Sequence, residues 1–185
     1  MKKAYLGLLA CVFLFGSLLY ANAGGKFWNS ESGTFSIPLG KDYNYDDILV
    51  ARAVDGDTLK MEDGQRVRLI GIDTPEMHES AKLDRDAKRS KQDKAAIKGM
   101  GRRSYEFTKN LVEGKRVRLE FDAEKHDKYG RLLAYVYLKD GTFVNDEVIK
   151  QGYASQMTYP PNVKYADKFL KSYQEARENK RGLWK

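Results

Sequence analysis

Four carboxylates stand out by their spacing. Asp55 and Asp57 flank a glycine, and Asp73 is followed three residues later by Glu76. Two cations share that stretch of chemistry. Arg68 lies inside the apolar run that ends at Asp73, and Arg131 closes the polar segment Asp127-Lys128-Tyr129-Gly130-Arg131. Crowded carboxylates repel one another, and a hard cation with oxygen ligands relieves the repulsion economically. Zinc would ask for nitrogen or sulfur ligands. The two histidines, His78 and His126, stand alone in polar stretches and read as solvated surface residues. A phosphodiester under attack gains charge on its equatorial oxygens, and two guanidinium forks together with a metal would stabilise it. Glu76 suits the positioning or deprotonation of an attacking water. A plainer alternative makes Arg68–Asp73 and Arg131–Asp127 surface ion pairs worth little. Spacing alone leaves the two readings level.

These residues need elements that bring them together. Ile48, Val50 and Val54 share one parity, which predicts a half-buried strand from Asp47 to Val54. Asp55-Gly56-Asp57 predicts a turn and Thr58–Glu62 a second strand. Asp63-Gly64 is a hairpin signal, and Gln65–Ile72 is a third strand stopped at Pro75. In such a meander the start of the second strand and the end of the third are neighbours, so three or four carboxylates are expected at one rim. The charge-dense stretch from Met77 to Gly99 reads as an exposed loop running into a helix, whose apolar face is Met100, Phe107, Leu111 and Val112. Lys115–Asp122 alternates, with Val117, Leu119 and Phe121 on one side, and Leu132–Leu138 is a dense β-branched and aromatic strand. A short helix is expected over Val144–Gln151 and a terminal one over Asn162–Arg181. Val163, Phe169, Leu170 and Tyr173 are the candidates for the terminal helix's buried side, with Leu183 and Trp184 packing back. Five short strands with a helix between the third and fourth predict an α+β fold that is mostly β: a small closed OB-type barrel.

The first residues read as a targeting segment. Lys2 and Lys3 precede an apolar run from Ala4 to Tyr20, which closes on Ala21-Asn22-Ala23. That order predicts a cleaved signal peptide over 1–23 and a secreted or periplasmic protein. The alternatives are an uncleaved anchor, which would place the protein on a membrane, and a lipoprotein site at Cys11, which the continuing apolar run disfavours. Residues 24–46 read as an arm or linker, with a short strand at Thr34–Ile37, and residues 47–185 as the folded domain. Cys11 is the only cysteine, so the domain has no disulfide partner, thiolate metal site or cysteine nucleophile. A net charge of +7 spread along the chain favours polyanionic partners.

Taken together, Asp55-Gly56-Asp57-Thr58, the run from Arg68 to Glu76, and Asp127-Lys128-Tyr129-Gly130-Arg131 resemble the three signature segments of the thermonuclease (staphylococcal nuclease-like) family. Gly182-Leu183-Trp184 is similar to the end of its domains. One such segment is a weak signal, but three in order are specific. The resemblance spans roughly Asp47 to Lys185 and implies a five-stranded OB-type Greek-key barrel with three helices. It implies a Ca²⁺-dependent endonuclease acting on DNA and RNA, with single-stranded or frayed substrate favoured, leaving 3′-phosphate ends and working as a monomer. By motif position, Asp57 and Asp73 would bind calcium through side chains and Thr74 through its carbonyl, with Asp55 in the outer shell. Glu76 would orient the water, Arg68 and Arg131 would grip the scissile phosphate, and Lys128 and Tyr129 would hold the neighbouring phosphate and sugar. Three features depart from the family pattern. The segment 77–99 is longer and more charged, residues 24–46 have no counterpart, and Met157 stands where a base-stacking aromatic is expected. Tyr159 is the candidate to take over stacking, with a packing role as its alternative. Pro160-Pro161 matches a cis bond typical of that loop. The competing reading is a non-catalytic or membrane-tethered barrel that only binds nucleic acid. Catalytically dead relatives lose the acidic and arginine residues, whereas all five are present here.

Overall fold

The computed structural model describes residues 43–185. The expectations for the signal segment, most of the 24–46 arm and a strand at Thr34–Ile37 lie outside the described residues. Within them the elements run β1 (Ile48–Asp55), β2 (Thr58–Met61), β3 (Arg66–Leu69), β4 (Ile72–Asp73), α1 (Ala81–Ser90), α2 (Lys94–Val112), β5 (Arg116–Glu120), β6 (Leu132–Leu138), α3 (Val144–Lys150), β7 (Ser155–Gln156) and α4 (Ala166–Glu178), with a 3₁₀ turn at Gly182–Trp184.

Five strands close a barrel in the order β1-β2-β3-β6-β5, with β5 returning to β1. The β1-β2-β3 meander is antiparallel, and β3 then lies parallel to β6, pairing Val67 with Leu132 and Leu69 with Ala134. That parallel step requires a crossover, which α1, α2 and β5 supply. Val50, Leu59, Met61, Val67, Leu69, Val117, Leu132 and Val136 fill the interior almost without exposure. Such side chains contribute about 1.5–3 kcal/mol each on burial, so the barrel needs no covalent staple.

Several expectations are corrected. There are four α-helices among the described residues, not three, and the additional one, α1, lies within the stretch expected to be loop. It has one buried side chain, Leu83, so it carries no apolar period. What starts it is local: the Ser80 hydroxyl accepts from the Leu83 N–H at 3.1 Å. In β1 the parity argument fails after Val50. Register shifts between Val50 and Arg52 and between Ala53 and Asp55 put Ala53 inside, and Val54 is only half-buried. The third strand breaks at Gly71, whose φ is 81°, and Ile72–Asp73 pair instead with β7. Helix α2 buries Ile97, Gly101, Ser104, Thr108 and Val112 rather than the larger apolar residues expected, of which only Val112 is buried. In α4, which begins only at Ala166, Phe169 is buried and Tyr173 packs partly on the core, but Leu170 is exposed, as is Val163 before the helix. Trp184 meets the Tyr173 ring edge-on at 5.5 Å, as its expected return to the body requires.

Candidate active site

The site begins with how α2 approaches the strand ends. Its small-residue stripe lets the helix backbone come close to two loops. A Cβ on Gly101 would stand 2.7 Å from the Glu76 carbonyl, and a Cβ on Gly56 2.8 Å from the Thr74 side chain. No larger residue fits at either position without moving backbone. Between these contacts the Thr108 hydroxyl donates to the Gly56 carbonyl at 2.8 Å, fixing the Asp55-Gly56-Asp57 turn onto the helix. Asn145, fully buried on α3, donates to the Ile70 carbonyl at 2.9 Å and accepts from the Val136 N–H at 2.9 Å. It ties the end of β3 to β6 where the chain turns into Gly71.

On this frame Asp57 and Asp73 come together around Arg68. One Asp57 oxygen accepts from the Thr74 N–H and hydroxyl, both at 3.0 Å, and the other pairs with the Arg68 guanidinium. Arg68 also reaches Asp73 at 3.3 Å. Asp57 is only 5% exposed, so burial alone would push its carboxyl up, but Arg68 beside it holds it well below the usual carboxylate range. Asp55 lies behind Asp57, accepting its N–H at 3.1 Å. Burial and the Asp57 charge push the Asp55 carboxyl up to about 7. Burial works against the Arg68 charge, yet Asp57 and Asp73 hold its pKa above the ordinary guanidinium value.

A cleft of about 750 Å³ opens from this rim. Arg68 and Asp73 line it, together with Lys128, Tyr129, Arg131 and Tyr159. Asp127 builds the Tyr129 wall. One of its oxygens accepts the N–H groups of Tyr129 and Arg131 at 2.9 and 3.0 Å, and the other takes the Arg131 Nε–H at 2.7 Å. Burial would raise the Asp127 carboxyl, but these bonds hold it low. Tyr129 and Tyr159 are 72% and 70% exposed, so Tyr159 is not a packing residue. Asn162 pins the cis Pro160-Pro161 loop beside this wall, exchanging hydrogen bonds of 2.8 and 2.9 Å with the Glu124 backbone.

Among the residues singled out by sequence, Asp57, Arg68, Asp73 and Thr74 converge, with Asp55 behind them. Arg131, Lys128, Tyr129 and Tyr159 share the cleft. Glu76 is adjacent in the chain, but its carboxylate turns back to accept the Met77 N–H at 3.2 Å and does not line the cleft. Three carboxylates, those of Asp55, Asp57 and Asp73, thus gather around Arg68 at one rim, while the fourth, Glu76, bonds to its neighbour. Among the described residues no three carboxylate, histidine or cysteine side chains are spaced to hold a metal ion by themselves. The residue that sequence reasoning missed is Lys82 on α1. Its ammonium donates to Asp73 Oδ1 at 2.9 Å and to the Thr74 carbonyl at 2.8 Å. Burial opposes the Lys82 charge, but Asp73 overrides it and raises the pKa. Only the lysine's place two residues after the Ser80 cap signalled this.

These donors fit a hard cation. The Asp57 and Asp73 carboxylates and the Thr74 carbonyl offer oxygen alone, and the local field already draws two cationic side chains onto them. His78 and His126 are exposed, as expected.

Comparison with known proteins gives the same direction. Residues 66–185 match the family described as staphylococcal nuclease homologue. The thermonuclease of Staphylococcus intermedius is 36% identical over 189 residues, covering all of this chain and 99% of its own. The thermonuclease of Staphylococcus hyicus is 33% identical over 84% of this chain and 85% of its own. The SPbeta prophage-derived endonuclease YokF of Bacillus subtilis is 38% identical over 75% of this chain and 44% of its own. With the barrel, the paired aspartates around Arg68 and these matches in place, the chain belongs to the staphylococcal nuclease family.

Proposed function

We propose that this nuclease is a secreted, calcium-dependent, monomeric endonuclease that hydrolyses DNA and RNA strands and leaves 3′-phosphate ends. The observation that carries this is Arg68, held between Asp57 and Asp73 in a cleft that Arg131 also lines. The relatives named as thermonucleases and an endonuclease support the reaction class, and the signal-like residues 1–23 support export.

Asp57, Asp73 and the Thr74 carbonyl would hold the calcium, with Asp55 behind them. When bound, the ion supplies Lewis-acid charge to the phosphate oxygens. Arg68 and Arg131 present guanidinium forks to the same oxygens, whose charge grows as water adds to phosphorus. Glu76 leaves its bond to Met77 to orient that water and take its proton. The phosphorus–O5′ bond then breaks, the 5′ oxygen leaves with the bonding pair and takes a proton from solvent, and the phosphate stays on the 3′ oxygen. Lys128 and Tyr129 hold the adjacent phosphate and sugar, and Tyr159 offers an exposed ring to a base.

Digestion of single-stranded DNA with Ca²⁺ and with EGTA, followed by identification of the product ends, tests this. Cleavage to 3′-phosphate ends only with Ca²⁺ is expected, and undiminished cleavage in EGTA would refute the calcium site.

A further inference from the structure

The cleft has a second charged wall, made by α1. Lys82, Arg85 and Arg89 all line it, together with the Tyr129 segment. Their spacing of three and four residues sets them along one helical face. The helix rise puts Arg85 about 4.5 Å beyond Lys82 along the axis, and Arg89 about 6 Å beyond Arg85.

The wall is held in place from several sides. Leu83, next to Lys82, is fully buried and fixes the rotation of the helix. Ser80 caps its start, and Asp84 pairs with Lys94 of α2 at 2.5 Å. Among the described residues Arg85 has no ion pair. Arg89 touches Asp86 at 3.1 Å, but its side chain is 76% exposed, so solvent screens that contact and a phosphate can displace it. The cleft acids are largely spoken for: Asp73 by Arg68 and Lys82, Asp86 by Arg89, and Asp127 by Arg131. Among the described residues Arg85 and Lys128 are left as cleft cations without a carboxylate, and the exposed rings of Tyr129 and Tyr159 line the same cleft.

We propose that α1 is a substrate-binding wall: Arg85 and Arg89 bind backbone phosphates of a single strand beyond the scissile position, so the enzyme grips a longer stretch of substrate than its reaction centre alone would. This rests on the nuclease reading and adds to it a footprint and two binding residues. A strand that carries backbone phosphates and stackable bases matches a cleft lined by both guanidinium groups and exposed tyrosines. A duplex would keep its bases from those rings.

The test uses the full mature chain, a twelve-nucleotide single-stranded DNA in EGTA, and fluorescence anisotropy across a salt series. Arg85→Gln/Arg89→Gln is compared with Arg102→Gln/Arg103→Gln, which removes the same charge from exposed α2 positions outside the cleft. The cleft pair is expected to weaken binding about tenfold at low salt. It should also flatten the plot of log affinity against log salt by about 1.4, two contacts at roughly 0.7 each. The α2 pair should flatten it by less than half of that. In Ca²⁺, the cleft pair's loss of kcat/KM should grow as the DNA substrate is lengthened from two to twelve nucleotides. Equal slopes for the two double variants would overturn the proposal, and so would a kcat/KM loss independent of length. If the unaltered enzyme neither binds nor cuts the strand, the nuclease reading itself fails, and that outcome is visible before any variant is made.

Discussion

Arg68 and Arg131 are the same side chain offered to the same cleft, yet they are held in opposite ways. Arg68 stands in a strand, 17% exposed, between carboxylates that come from the turn before β2 and from β4. Its partners are assembled by the barrel, by Gly56 against Thr74 and by Gly101 against Glu76. Arg131 is 28% exposed and is braced by Asp127, four residues away in its own loop. One guanidinium depends on tertiary structure, the other on a local turn. Removing Arg68 strands buried acids, whereas removing Arg131 frees a loop carboxylate to find water.

That contrast can be broken most directly by the two alanine variants. Arg68→Ala should lower turnover at least a thousandfold and cost about 3 kcal/mol of stability, because Asp57 is left uncompensated. Arg131→Ala should lower turnover comparably but cost less than about 1 kcal/mol. Steady-state kinetics and urea unfolding check both, and equal stability losses would erase the distinction. Asp127→Ala tests the local turn. It should reduce turnover about tenfold at a stability cost of about 1 kcal/mol, since three hydrogen bonds in one loop are lost together. A loss as large as that of Arg131→Ala would mean that the arginine has no orientation of its own.

Lys82 sharpens the tertiary side. Its ammonium occupies Asp73 and the Thr74 carbonyl, so a calcium ion held by these oxygens would have to displace it. Lys82→Met should tighten calcium binding about tenfold in a calorimetric titration, and weaker binding would show that the lysine supports the ligands instead of competing for them. The smallest expected effect concerns Asp55. Its carboxyl is raised on folding, so it favours the folded state below the ordinary aspartate range, and that contribution is lost as the pH rises through about 7. In EGTA, the gap in Tm between the native chain and Asp55→Asn should therefore shift between pH 4 and pH 7.5, against the native chain at the higher pH. A constant gap would mean that Asp55 keeps an ordinary carboxyl.

Much of the site was legible before any coordinates. The Asp-Gly-Asp turn, the Arg68–Glu76 run and the Asp127–Arg131 loop carry their chemistry in contiguous residues, and local turn geometry largely dictates how such segments fold. The strands were legible wherever one face is apolar. Reading failed where the governing contact is not apolar. Helix α1 rests on a serine cap and one leucine, and α2 packs through Gly101, Ser104 and Thr108, which no hydrophobic period marks.

The amino-acid order by itself determined the barrel's strands, the residue types of the reaction centre and the local brace of Arg131, because each follows from neighbours within a few positions. Only the tertiary structure decided that Arg68 separates the two aspartates and that Lys82 reaches the Thr74 carbonyl. Those outcomes depend on close backbone approaches at Gly56 and Gly101, between segments tens of residues apart, where the absence of a side chain is what sets the distance.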